Sequence, residues 1–225
     1  RRFDYAQTDV VVIPPYTDLR SVQTVIDADN LEIKLGAQDV AVYESGAYTG
    51  EISATMLQKL GVSYVVVGHS ERREYHQETD DLVGQKSKAV LAHDMIPIIC
   101  CGEVLEVRKS GQHVDHVVSQ IEGALAGYTA DDAAKIVIAY EPVWAIGTGE
   151  VATPADAEEV CKAIRDLLKA MYNEETADAI RILYGGSVKS SSIKELMSQP
   201  NVDGALVGGA SLDADEFAKI ADFLN

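Results

Sequence analysis

Four features of this 225-residue chain have residue types suited to chemistry: Glu141, His69 and two glycine-rich turns, Gly185-Gly186-Ser187 and Gly208-Gly209. Glu141 follows the apolar run Ile136-Val137-Ile138-Ala139 and opens a segment, Pro142-Val143-Trp144-Ala145-Ile146-Gly147-Thr148-Gly149, with the build of a lid. Pro142 stiffens the near end, Val143, Trp144 and Ile146 suit an apolar cover, and Gly147 and Gly149 permit bending. A carboxylate under a water-excluding lid is suited to proton abstraction, because exclusion of water favours the protonated form. Taken alone, the same stretch also suits a structural carboxylate before an ordinary loop. His69 directly follows Val65-Val66-Val67-Gly68 and is the one histidine of five at the carboxyl end of a strand pattern. His76, His93, His113 and His116 fall in loops or helices and read as solvated. His113 and His116 have helical i,i+3 spacing, but no further His-plus-carboxylate set accompanies them, so no metal site is expected. Each glycine-rich turn precedes a helix, and backbone N–H groups at such turns make an anion site.

The elements that must position these residues are short β-branched runs alternating with helical patterns. Strands are predicted at Val10–Ile13, Leu31–Gly36, Tyr64–Val67, Ile96–Cys100, Ile136–Ala139, Ile180–Leu183 and Ala205–Val207, several of them continuously apolar as in parallel strands covered on both faces. Helices are predicted near 17–28, 53–60, 79–93, 111–126, 154–172, 191–199 and 213–224. Thr153-Pro154 reads as an N-cap followed by Pro at the first helical position. In βα folds ligands bind at the carboxyl ends of strands, where all four features fall. The chain reads as one βα-repeat domain over 1–225, with seven units where a closed (β/α)₈ barrel has eight.

A net charge of −17 argues against nucleic-acid binding, which needs a basic surface. No run of 18 apolar residues is present, so no transmembrane helix is expected and membranes are not an expected partner. Three cysteines with no CxxC pair point to a reducing cytoplasm, no disulfide and no zinc. Cys161 reads as a small core residue.

The segments 36–39 (Gly-Ala-Gln-Asp), 45–51 (Ser-Gly-Ala-Tyr-Thr-Gly-Glu), 67–73 (Val-Gly-His-Ser-Glu-Arg-Arg) and 101–103 (Cys-Gly-Glu) closely resemble, in order, the triosephosphate isomerase family. So do 139–149 (Ala-Tyr-Glu-Pro-Val-Trp-Ala-Ile-Gly-Thr-Gly), 184–188 (Tyr-Gly-Gly-Ser-Val) and 206–212 (Leu-Val-Gly-Gly-Ala-Ser-Leu). The resemblance implies a TIM (β/α)₈ barrel that interconverts two triose phosphates without a cofactor. This family is itself a standing illustration of a glutamate base, a neutral imidazole electrophile and lid closure. The resemblance assigns those roles to Glu141 and His69, and substrate-phosphate contacts to Gly147, Ser187, Gly208 and Gly209. It implies supporting positions for Ser70, for Glu71 paired to local cations, and for Cys100 beside Glu141. Residues 42–50, with Thr49 near the tip, resemble the loop that inserts into a neighbouring subunit, which implies a homodimer. The family's first strand ends in an Asn-x-Lys motif that nothing in this chain matches, and Glu150 stands where the far lid hinge is often Lys. The expectation is a barrel domain whose first βα unit is missing. An impaired, N-terminally truncated form is the alternative to an active isomerase. A Schiff-base aldolase would need a strand-end lysine, for which Lys34 is the one strand candidate.

Overall fold

The computed structural model describes residues 3–146, 148 and 150–224. Seven parallel strands run in sequential spatial order: β1 (Val11–Val12), β2 (Lys34–Ala37), β3 (Val62–Val67), β4 (Ile96–Cys101), β5 (Val137–Tyr140), β6 (Arg181–Tyr184) and β7 (Gly204–Ala205). Eleven α-helices lie among the described residues: α1 (Leu19–Ala28), α2 (Ala54–Lys59), α3 (Ser70–Tyr75), α4 (Asp80–Leu91), α5 (Leu105–Lys109) and α6 (His113–Ala124), followed by α7 (Ala130–Ala133), α8 (Pro154–Met171), α9 (Glu174–Ala179), α10 (Ile193–Met197) and α11 (Ala214–Ala221). All seven predicted strands and all seven predicted helices are found, with ends displaced by a few residues. The four short helices α3, α5, α7 and α9 were not foreseen, being too short to show a period.

The sheet is strongly curled. Asp9, just ahead of β1, accepts a 2.6 Å bond from Arg181 at the start of β6, five places away in the sheet. Among the described residues β1 and β7 pair on one side only, so the barrel is open between them.

The continuous apolar runs resolve into two alternating sets, as the period of two demands. Val65, Val67, Ile99, Cys101, Ile138, Tyr140, Ile182 and Tyr184 face the helices in one large core. Val66, Ile98, Cys100, Val137 and Ala139 form a second core inside the curl, with Tyr64 and Leu183 packed on it. Glu141, next in the inward-facing series 137, 139, 141, is thereby carried to the rim of the interior at the carboxyl end of β5. Thr153 caps α8 as predicted: its hydroxyl accepts from Asp156 N at 3.1 Å, and the Asp156 carboxylate accepts from Thr153 N at 2.8 Å, with Pro154 opening the helix. Lys34 sits at the opposite, amino end of β2 and is exposed, which removes the aldolase candidate from the strand ends where ligands bind.

Candidate active site

Glu141 is fixed by its backbone before its side chain does anything. Its N–H donates to Cys101 O at 2.7 Å, and Gly185 N donates to Tyr140 O at 2.7 Å, extending the sheet past the last paired residues. Gly102 lies so close that a Cβ there would stand 1.8 Å from Glu141 O, so this approach is open only to glycine. The side chain is 2% exposed, and both carboxylate oxygens are engaged. Oε1 lies 2.9 Å from His69 Nε2 and accepts from Ser70 Oγ at 3.1 Å, while Oε2 accepts from Ser70 N at 3.0 Å.

His69 leaves the alternation of β3 through Gly68, whose φ of +68° turns the chain out of the strand. The N–H of Glu71 donates to His69 Nδ1 at 3.3 Å, which leaves the proton of a neutral ring on Nε2, aimed at Glu141. Burial disfavours the charged ring, but the hydrogen bond and charge of Glu141, with the charge of Glu71, outweigh it and hold His69 above the ordinary histidine value. Because that rise comes chiefly from the contact with Glu141, a molecule that parts the two groups removes it. The resemblance paired Glu71 with local cations; instead its carboxylate is largely exposed and 3.7 Å from His69 Nδ1. Cys100 is fully buried, and burial together with the neighbouring Glu141 charge pushes its thiol well up, so it acts as a neutral packing neighbour of Glu141.

The lid begins as a 3₁₀ turn, Val143–Ala145. Trp144 Nε1 donates to Glu103 Oε1 at 2.8 Å, and Tyr140 Oη donates to the same oxygen at 3.0 Å. Burial raises the Glu103 carboxyl, and those two donors and Arg108 work against the rise. The Arg108 guanidinium also lies over the Trp144 ring, 5.2 Å from its centroid. Glu103 and Arg108 were not foreseen as a seat for the lid, since they stand 41 and 36 positions from Trp144 and no local pattern links them. Ile146 is exposed, and Gly147 lies outside the described residues.

His69, Glu141, Ser187, Gly208 and Gly209 all line one cavity of about 1630 Å³ that residues of β1 and β7 also line, so three of the four predicted phosphate contacts and both reactive groups share a space. Ser187, Gly208 and Gly209 are exposed to it. Two histidines depart from expectation: His93 and His113 are mostly covered and lie 2.9 Å from Glu44 and 3.0 Å from Glu159 respectively, rather than being solvated. Among the described residues no group of three His, Cys, Asp or Glu could hold a metal ion, and no helix is long and apolar enough to cross a membrane.

A parallel α/β barrel with an imidazole and a carboxylate in contact at the strand ends, beside glycine-rich turns after the last two strands, defines the class: a barrel enzyme equipped to move protons on a small anionic substrate. The triosephosphate isomerase profile matches residues 2–224, and the chain belongs to that family. It is 62% identical to the triosephosphate isomerase of Streptomyces avermitilis over 220 residues, covering 98% of this chain and 85% of that protein. It is 63% identical to that of Corynebacterium efficiens over 217 residues (96% and 83%), and 59% identical to that of Cutibacterium acnes over 221 residues (98% and 85%).

Proposed function

We propose that the chain interconverts dihydroxyacetone phosphate and D-glyceraldehyde 3-phosphate, a step of glycolysis and gluconeogenesis, by proton transfer through an enediol(ate). The observation that carries this reading is the 2.9 Å contact of His69 Nε2 with Glu141 Oε1 inside the cavity that Ser187, Gly208 and Gly209 also line. A substrate carbonyl inserted between the two groups takes the Nε2–H in place of Glu141, and Glu141 is freed to remove the adjacent carbon-bound proton. The imidazole polarises the carbonyl and moves protons between the two oxygens, so the reaction is proton transfer alone and needs no cofactor. Gly147, Ser187, Gly208 and Gly209 bind the phosphate through backbone N–H groups. The lid excludes water when Trp144 leaves Glu103. Identities of 59–63% to named triosephosphate isomerases over at least 96% of the chain do not favour the impaired-fragment alternative. The reading further holds that the chain forms one barrel domain, works in the cytoplasm, and dimerises through residues 42–50.

The test is steady-state interconversion of the two triose phosphates by the native chain and Glu141→Gln. Native turnover is expected, with a loss of about 10²–10⁴-fold in the variant. A native chain without turnover, or a variant equal to it, defeats the reading.

A further inference from the structure

Two adjacent arginines close the motif at 67–73, and the structure sends them in different directions. Arg72 joins a charge cluster, 3.0 Å from Asp39 and 2.7 Å from Glu78, with Lys86 bonded to the same two carboxylates. Arg73 turns back to the barrel rim. Its Nε donates to Gly68 O at 2.8 Å, one Nη donates to Cys100 O at 3.0 Å, and the other meets Asp80 at 2.6 Å. Its side chain is 16% exposed.

The placement follows from the sheet. The β3–β4 ladder ends with the pair Val67–Ile99, so Gly68 and Cys100 would be the next pair. Gly68 turns away at positive φ, and a Cβ at this position would meet Val83 at 2.6 Å. Two carbonyl acceptors are left side by side where the ladder stops, and a guanidinium, with several donors in one plane, joins both. One of these carbonyls belongs to the residue before His69. The other belongs to Cys100, which pairs with Ala139 of β5 and precedes Cys101, the residue whose carbonyl accepts from Glu141 N at 2.7 Å.

We propose that Arg73 is a positioning residue of the active site: it spans the unpaired end of the β3–β4 ladder and so fixes the spacing between the His69 turn and the end of β4, to which the Glu141 backbone is bonded. The proposal rests on the isomerase reading of that site. A lysine ammonium keeps the charge but not the planar fork, so Arg73→Lys retains bulk and charge while losing the double tether. Asp80→Asn removes only the charge that orients the guanidinium.

The test measures kcat, KM and the NMR titration of the His69 ring in the native chain and both variants. Folded Arg73→Lys is expected to lose about 100-fold in kcat, the effect of a misplacement near 1 Å, with KM within about threefold. Its His69 titration moves down toward the ordinary histidine value as the contact with Glu141 loosens. Asp80→Asn moves both readouts in the same direction by less. A folded Arg73→Lys that keeps native kcat, or loses kcat with the His69 titration unmoved, overturns the proposal. If Arg73→Lys does not fold, Asp80→Asn decides, and unmoved readouts in that variant overturn it. A native chain without isomerase turnover counts against the reading of the site, and the His69 titration then still decides the role of Arg73.

Discussion

Glu141 meets His69 because two strands end differently. β5 keeps its alternation and delivers a carboxylate inward, whereas β3 breaks its alternation at Gly68 and swings an imidazole across. The contact that results ties protonation to stability. The folded chain holds the His69 proton more tightly than the unfolded chain, so rising pH strips the unfolded chain first and stability falls. The contribution is complete below the ordinary histidine value and is lost as pH climbs through the raised value of the folded state. Thermal unfolding of the native chain and His69→Gln, compared from about pH 5 to about pH 8, is therefore expected to show a stability gap that narrows as pH rises. A gap that is constant or widens contradicts the assignment.

At the scale of elements, the site depends on how closely β4 and β5 approach beyond their last ladder bonds. Gly102 N donates to Gln120 Oε1 of α6 at 2.8 Å, which holds this turn against the helix layer, and its missing side chain admits the Glu141 carbonyl. Gly102→Ala must push the two strand ends apart. The expected outcome is a loss of about 100-fold in kcat together with about 1–3 kcal/mol of stability, read by turnover and denaturant unfolding; full activity would refute the role given to this glycine. The strand pattern, the Thr153 cap and the strand-end location of His69 and Glu141 were legible because each depends on neighbours within a few residues. The anchors were not: Arg73 to Cys100, Trp144 to Glu103 and Gly102 to Gln120 join residues 18 to 41 positions apart, through hydrogen bonds that no local period encodes. The His93–Glu44 contact, spanning 49 positions, escaped for the same reason.

At the scale of the molecule, residues 42–50 carry two exposed tyrosines, Tyr43 and Tyr48, stacked at 3.7 Å between ring centroids, and Ala41 N bonds to Ile52 O at the base of the loop. Large aromatic side chains in this setting suit burial against a partner, as the proposed homodimer requires. Sedimentation is expected to give twice the 24.2 kDa chain mass, and Tyr48→Asp to weaken association at least about tenfold, or about 1.4 kcal/mol; a native chain that stays monomeric at high concentration rejects the dimer. The sequential strand order sets a further property. Each ladder joins only neighbours along the chain, and the residue pairs that begin the ladders are separated by 23 (Val11–Lys34), 27 (Leu35–Val62), 32 (Tyr64–Ile96), 39 (Ile98–Val137), 44 (Val137–Arg181) and 21 (Leu183–Gly204) positions. Loop-closure entropy grows only with the logarithm of length, so these six steps differ from one another by less than about 1 kcal/mol. Among the described residues no strand ladder waits on a distant segment, so assembly can begin at any strand pair and spread both ways along the chain, one βα unit at a time.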